Sequence, residues 1–96
     1  MSNPYSEYTD KLFEGILKLE SVEECYEFFG DLCTVNELIS MTQRFEVACK
    51  LKEGKTFAEI SSESGASTTT ISRVNRCLSY GAGGYDIVLG KPEKKQ

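Results

Sequence analysis

The residues best suited to chemistry lie in one stretch, Thr56-Phe-Ala-Glu-Ile-Ser-Ser-Glu-Ser-Gly65-Ala-Ser-Thr-Thr-Thr-Ile71-Ser-Arg-Val-Asn-Arg-Cys-Leu78. At helical spacing Thr69, Ser72, Arg73, Arg76 and Tyr80 share one face, and Ile71, Val74 and Leu78 share the opposite one. The run Ser67-Thr68-Thr69-Thr70 is poor helix interior but a good helix start. Hydroxyls and free N–H groups there suit phosphate oxygens. Arg73 and Arg76 suit phosphates or guanine edges. No Asp or Glu occurs from Gly65 to Tyr85. A solvated helix face would account for two arginines standing alone. It accounts less well for a capped short helix, a glycine turn and an acid-free face together. The DNA-binding residues are therefore read as Thr56, Ser67, Thr68, Thr69, Ser72, Arg73 and Arg76.

This is recognition chemistry, not catalysis. The chain has no His, no glycine-rich phosphate loop and no paired nucleophile and base, so it is not read as an enzyme. Cys25, Cys33, Cys49 and Cys77 form no Cys-x-x-Cys pair. They are read as small buried apolar residues in a reducing compartment, with no metal site.

The elements that must position these residues follow from their punctuation. Thr56 with Glu59 fits a capping box, in which hydroxyl and carboxylate each satisfy a free backbone N–H. A short helix then runs to about Glu63. Gly65 takes positive φ in the turn, and Ala66 is small where the helices meet. The next helix runs from Thr68 to about Tyr80, with Ile60 packing on Ile71, Val74 and Leu78. A helix-turn-helix over 56–79 is the result. Gly81-Ala82-Gly83-Gly84 breaks the helix, Tyr85 to Leu89 forms a last turn or two, and 91–96 is a frayed charged tail.

Upstream, Asn3 and Pro4 read as N-cap and first helical residue, starting a helix that runs to about Lys18. Ser21 with Glu24 and Thr34 with Glu37 fit two further capping boxes. They open a helix over about Val22 to Leu32 and a long central one to about Glu53, ended by Gly54. In the long helix, Leu38, Met41, Phe45 and Ala48 define a core face. The first two helices carry apolar stripes wider than a small monomer needs, and a second copy of the chain is the simplest cover. The expectation is a single all-helical domain over 1–96. Its parts are N-terminal dimerisation helices over 1–33, a central helix over 34–54 and the helix-turn-helix.

Charge is divided along the chain. Residues 1–41 carry nine acids and two bases, net −7. Residues 42–80 carry six bases and four acids, net +2, and residues 81–96 three bases and two acids, net +1. An acidic first half can thus face away from DNA while the rest faces it. No apolar run reaches the ~18 residues of a membrane helix, and the N-terminus has no basic, signal-like region. The expected location is cytoplasmic, with no membrane partner.

From about Cys33 to Leu89 the sequence resembles the Trp repressor family. The resemblance rests on Thr34 opening the long helix, on Arg44 within it, and on Gly65-Ala-Ser-Thr-Thr-Thr-Ile-Ser-Arg73 across the turn. It implies an all-α, intertwined homodimer of about six helices per chain. The first helices would wrap the partner, and the paired reading helices would enter successive major grooves of double-stranded DNA. It also implies a corepressor site, tryptophan in the founding member. Arg44 and Arg73 match two arginines that flank the indole, and Thr34 a residue lining the pocket. Val74 stands in place of a glycine close to the ligand, and Cys77 in place of a serine that helps hold its amino group. Both changes argue against tryptophan, since Val74 adds bulk and a thiol is a weak hydrogen-bond partner. The chain thus resembles the small Trp-repressor-like proteins without an assigned corepressor more closely than the founding member. The expected function is a sequence-specific, homodimeric transcriptional regulator, read as a repressor. The alternative is a helical protein-interaction module with no DNA role, working through the acidic first half with Tyr5 and Tyr8.

Overall fold

The computed structural model describes residues 4–90. Among them are six helices and no strand: α1 (Glu7–Ile16), α2 (Val22–Leu32), α3 (Val35–Lys52), α4 (Phe57–Ser64), α5 (Thr68–Tyr80) and α6 (Gly84–Leu89). No helix among the described residues is long and apolar enough to cross a membrane. The chain divides into two compact units, Met1–Val35 and Asn36–Gln96.

In the first unit, α1 starts later than the Asn3–Pro4 reading places it. Asn3 lies outside the described residues, as does the frayed tail expected over 91–96, and Pro4 sits in a bend. The cap is Ser6, whose Oγ accepts from the Tyr8 N–H at 3.1 Å. Thr9 Oγ1 accepts in return from the Ser6 N–H at 3.1 Å. This is a capping box with Thr where Glu is usual, so it carries no Ser-x-x-Glu signature. α2 has its expected bounds, and Ser21 caps it by accepting from the Glu24 N–H. The Glu24 carboxylate, however, accepts from the Glu20 N–H at 2.8 Å, one residue before the position the capping box predicts. Neither α1 nor α2 contains a buried residue. Tyr5, Tyr8, Phe13, Leu17, Val22 and Tyr26 are all more than half exposed.

The second unit holds the core: Val47 and Ala48 of α3, Ile60 of α4, Ala66 of the turn, and Ile71 and Val74 of α5. Leu51, Tyr85 and Leu89 pack against it, half-buried. Ile60, Ile71 and Val74 meet as expected, whereas Leu78 is only half-buried. The core face expected along α3 is corrected. Of Leu38, Met41, Phe45 and Ala48, only Ala48 is buried, and Phe45 is exposed. The core takes α3 residues from Val47 onward, because Val47, Ala48 and Leu51 form the stripe that meets α4, α5 and α6.

α3 ends in a Schellman motif. Gly54 has φ +87°, its N–H donates to Leu51 O, and the Lys55 N–H donates to Lys50 O. α5 stops at Gly81, where an added Cβ would lie 2.5 Å from the Cys77 carbonyl oxygen. Lys52 holds α6 to α3 through Asp86 at 2.8 Å. The cysteines are free thiols, but none is fully buried as expected, and Cys77 is exposed. Cys25 lies in α2, which has no buried position, Cys33 is the C-cap that follows it, and Cys77 lies outside the core face of α5 formed by Ile71 and Val74.

Candidate nucleic-acid interface

The turn between α4 and α5 is set by backbone chemistry and braced by hydroxyls. Gly65 has φ 75° and ψ 4°, the left-handed region that glycine enters at little cost. Ser61 Oγ donates to Ala66 O at 3.0 Å, and Ser64 Oγ donates to Ile60 O. Ser64 Oγ also accepts from the Ala66 N–H at 3.1 Å. From α3, Gln43 Nε2 donates to Ser64 O at 3.3 Å. The side chain of buried Ala66 fills the corner where α4 and α5 diverge. These contacts fix the angle at which α5 leaves the turn.

Both helices of the pair begin at side-chain caps. Thr56 Oγ1 accepts from the Glu59 N–H, and Glu59 Oε1 accepts from the Thr56 N–H at 2.8 Å, completing the predicted box. The Thr56 hydroxyl proton stays available to an outside acceptor. Ser67 differs. Its Oγ accepts from the Thr70 N–H and its proton lies toward Thr70 Oγ1 at 3.2 Å, so the hydroxyl is spent on starting α5.

Five of the seven residues singled out for DNA contact converge. Thr68, Thr69, Ser72, Arg73 and Arg76 line one hollow of about 390 Å³ on the outer face of α5, and all five are exposed. Thr56 and Ser67 lie outside it, at the two caps. Tyr80, on the same face, is 87 % exposed. The first turn of α5 carries no acid.

The cations of this unit divide into two sets. Lys50 pairs with Glu46 at 2.7 Å and Glu63 at 3.2 Å, Lys55 pairs with Glu63 at 3.0 Å, and Lys52 pairs with Asp86. Hydrogen bonds donated to Glu46 first, and then to Glu63, hold the Lys50 ammonium above its ordinary pKa. Lys55 first, and then Lys50, hold the Glu63 carboxyl below its own. Arg44, Arg73 and Arg76 are exposed and in no ion pair among the described residues. These pairs span 13, 8 and 34 positions of sequence, apart from the i,i+4 pair, so no local spacing rule reveals them.

The residues matched to a corepressor site differ in their surroundings. Val74 is 2 % exposed and belongs to the core with Val47 and Ile60. Cys77 lines a different, apolar hollow of about 360 Å³ with Phe45, Tyr85, Val88 and the Gly81–Gly84 segment. Arg44 and Arg73 are exposed, and neither lines that hollow. Thr34 belongs to the first unit.

The family model described as Trp repressor protein matches residues 7–93. The uncharacterized protein YerC of Bacillus subtilis (strain 168) is 53% identical over 87 residues, 91% of this chain and 84% of that protein. The crystal structure of a TrpR-like protein from Eubacterium eligens superimposes with a TM-score of 0.84 at 51% identity, covering 93% of this chain and 95% of that one. A Staphylococcus aureus structure described as a candidate Trp repressor gives 0.86 at 50% identity, covering 95% and 93%.

Proposed function

The chain belongs to the Trp repressor family, a family of DNA-binding regulators, and on that premise we propose that it is a sequence-specific transcriptional repressor acting as a homodimer through α4 and α5. The observation that carries this reading is the face of α5. Thr68, Thr69, Ser72, Arg73 and Arg76 line one hollow there, and neither arginine pairs with a carboxylate among the described residues. Three lysines of the same unit are paired with carboxylates, and two of the three arginines in no ion pair among the described residues lie on the reading helix. Arginine on such a helix serves phosphates and guanine edges alike.

The exposed stripe of Tyr5, Tyr8, Phe13, Leu17, Val22 and Tyr26 supports dimerisation through α1 and α2. Helices that bury nothing by themselves need a cover, and a second copy provides it with two-fold symmetry. Two reading helices then address half-sites about 34 Å apart. The chain is read as working in the cytoplasm and without catalysis. Tryptophan is not its corepressor in this reading, because Val74 fills the core where the founding member has only a hydrogen.

The test is fluorescence anisotropy on duplexes selected from random sequence. Affinity should fall steeply with salt as phosphate contacts release counterions. Changing Arg73 and Arg76 together to Ala should abolish binding, and unchanged binding would remove α5 from the reading. Sedimentation should give a dimer. The chain has no Trp, so added tryptophan is the only indole present, and its emission should not change with protein.

A further inference from the structure

We propose that Lys55 is a second DNA-phosphate contact, on the α4 side of the reading helix, and that Glu63 holds it back, so that one carboxylate sets how tightly this unit grips a duplex. The inference rests on the DNA-binding reading above. Lys55 immediately precedes Thr56, the N-cap of α4. In a helix-turn-helix that first helix crosses the phosphate backbone, so a lysine at its start stands where a phosphate contact is useful. Here its ammonium is turned to Glu63, 3.0 Å from Oε2 and 3.1 Å from Oε1.

The two lysines on Glu63 are not equivalent. Lys50 has a second carboxylate, Glu46, at 2.7 Å, closer than Glu63 at 3.2 Å. Lys55 has Glu63 alone among the described residues. Neutralising Glu63 therefore leaves Lys50 paired and releases Lys55. Both side chains of the Lys55–Glu63 pair keep over a third of their surface, 34% and 39%, so a phosphate oxygen can reach the ammonium. Exposed pairs are weak enough for such an exchange. Lys52 with Asp86 is the contrast: its side chain keeps 15% and ties α6 to α3. The arrangement gives a regulator two grades of contact, arginines that are always presented and a lysine that is rationed.

The experiment measures binding of a mixed-sequence duplex by anisotropy from about 50 to about 200 mM salt. Glu63→Gln keeps size and polarity and removes the charge. One released phosphate contact steepens the slope of log affinity against log salt by about 0.9 and tightens binding about fivefold to tenfold near 100 mM. Glu53→Gln, an exposed acid at the end of α3, makes the same change in net charge without releasing Lys55, and should leave the slope unchanged. Lys55→Gln should cost several-fold more in the Glu63→Gln background than in the wild type. Circular dichroism checks folding, and Glu63→Ala must give the same result as Glu63→Gln. Equal effects of Glu63→Gln and Glu53→Gln, or a gain that survives Lys55→Gln, would overturn the proposal. If the wild type binds and the Arg73/Arg76 double variant does not, that result leaves the DNA-binding reading standing. If no protein binds DNA, both fall.

Discussion

Replacing Gly65 with Ala tests whether the turn geometry decides the stability of the helix pair. An added Cβ at Gly65 meets nothing within 4 Å, so the substitution causes no clash. What remains is the backbone cost of holding a residue with a side chain at φ 75°. That cost is about 1–2 kcal/mol. For a chain of this length each kcal/mol lowers the melting temperature by about 4–8 °C, so a fall of roughly 5–15 °C is expected. Gly84→Ala supplies the opposite sign. Its Cβ also meets nothing within 4 Å, but Gly84 has ordinary φ and opens α6. Ala there should stabilise by up to about 1 kcal/mol. Gly65→Asn should fall between Gly65→Ala and the wild type, since Asn tolerates the left-handed region. The assay is thermal melting by circular dichroism at one fixed protein concentration, because association makes a melting point depend on concentration. A Gly65→Ala protein melting with the wild type, or Asn proving worse than Ala, would refute the conformational account.

Thr56→Ala removes the cap of α4 and should cost about 1 kcal/mol in urea unfolding, while Thr56→Ser should cost little. Ile60→Ala empties a fully buried site between α3 and α5 and should cost about 2–5 kcal/mol by the same measurement. The Glu63 carboxyl lies below its ordinary 4.5, so its contribution to stability is complete above that pH and is lost as pH falls through the lowered value. Lys50 lies above its ordinary 10.5, so its contribution is complete below that pH and is lost as pH rises through the raised value. Unfolding followed across pH should show both limbs, and Glu63→Gln should flatten the acid one.

The parts legible in the sequence are those governed by local rules. Thr56 with Glu59, Gly65, Ala66 and the Ile60–Ile71–Val74 contact all lie within nineteen positions, and each has one physical meaning wherever it occurs. Ser6 with Thr9 escaped because Thr does at that position what Glu more often does. The face of Leu38, Met41 and Phe45 shows where the rest of the difficulty lies. Periodicity tells which face of a helix is apolar but not what covers it, and within this unit the core begins only at Val47. The ion pairs of Lys50, Lys52 and Lys55 depend on helices meeting after folding, so a charge count does not tell which cations are paired and which are not. Of the candidate reading residues, Ser67 shows the same limit: its type suits phosphate, but its hydrogen bonds are already taken by Thr70.

The hydroxyl-braced turn also bears on the order in which the chain acquires its structure. Every brace contributed by Ser61, Ser64 and Ser67 closes within five positions of sequence. Loops this short close in about 10–100 ns, far faster than a 34-position contact such as Lys52 with Asp86 is found. The α4–α5 corner can therefore assemble as a local hairpin before α6 docks, with the later helices added to a shape already set. Amide protons at this corner should gain protection first during refolding, ahead of those in α6.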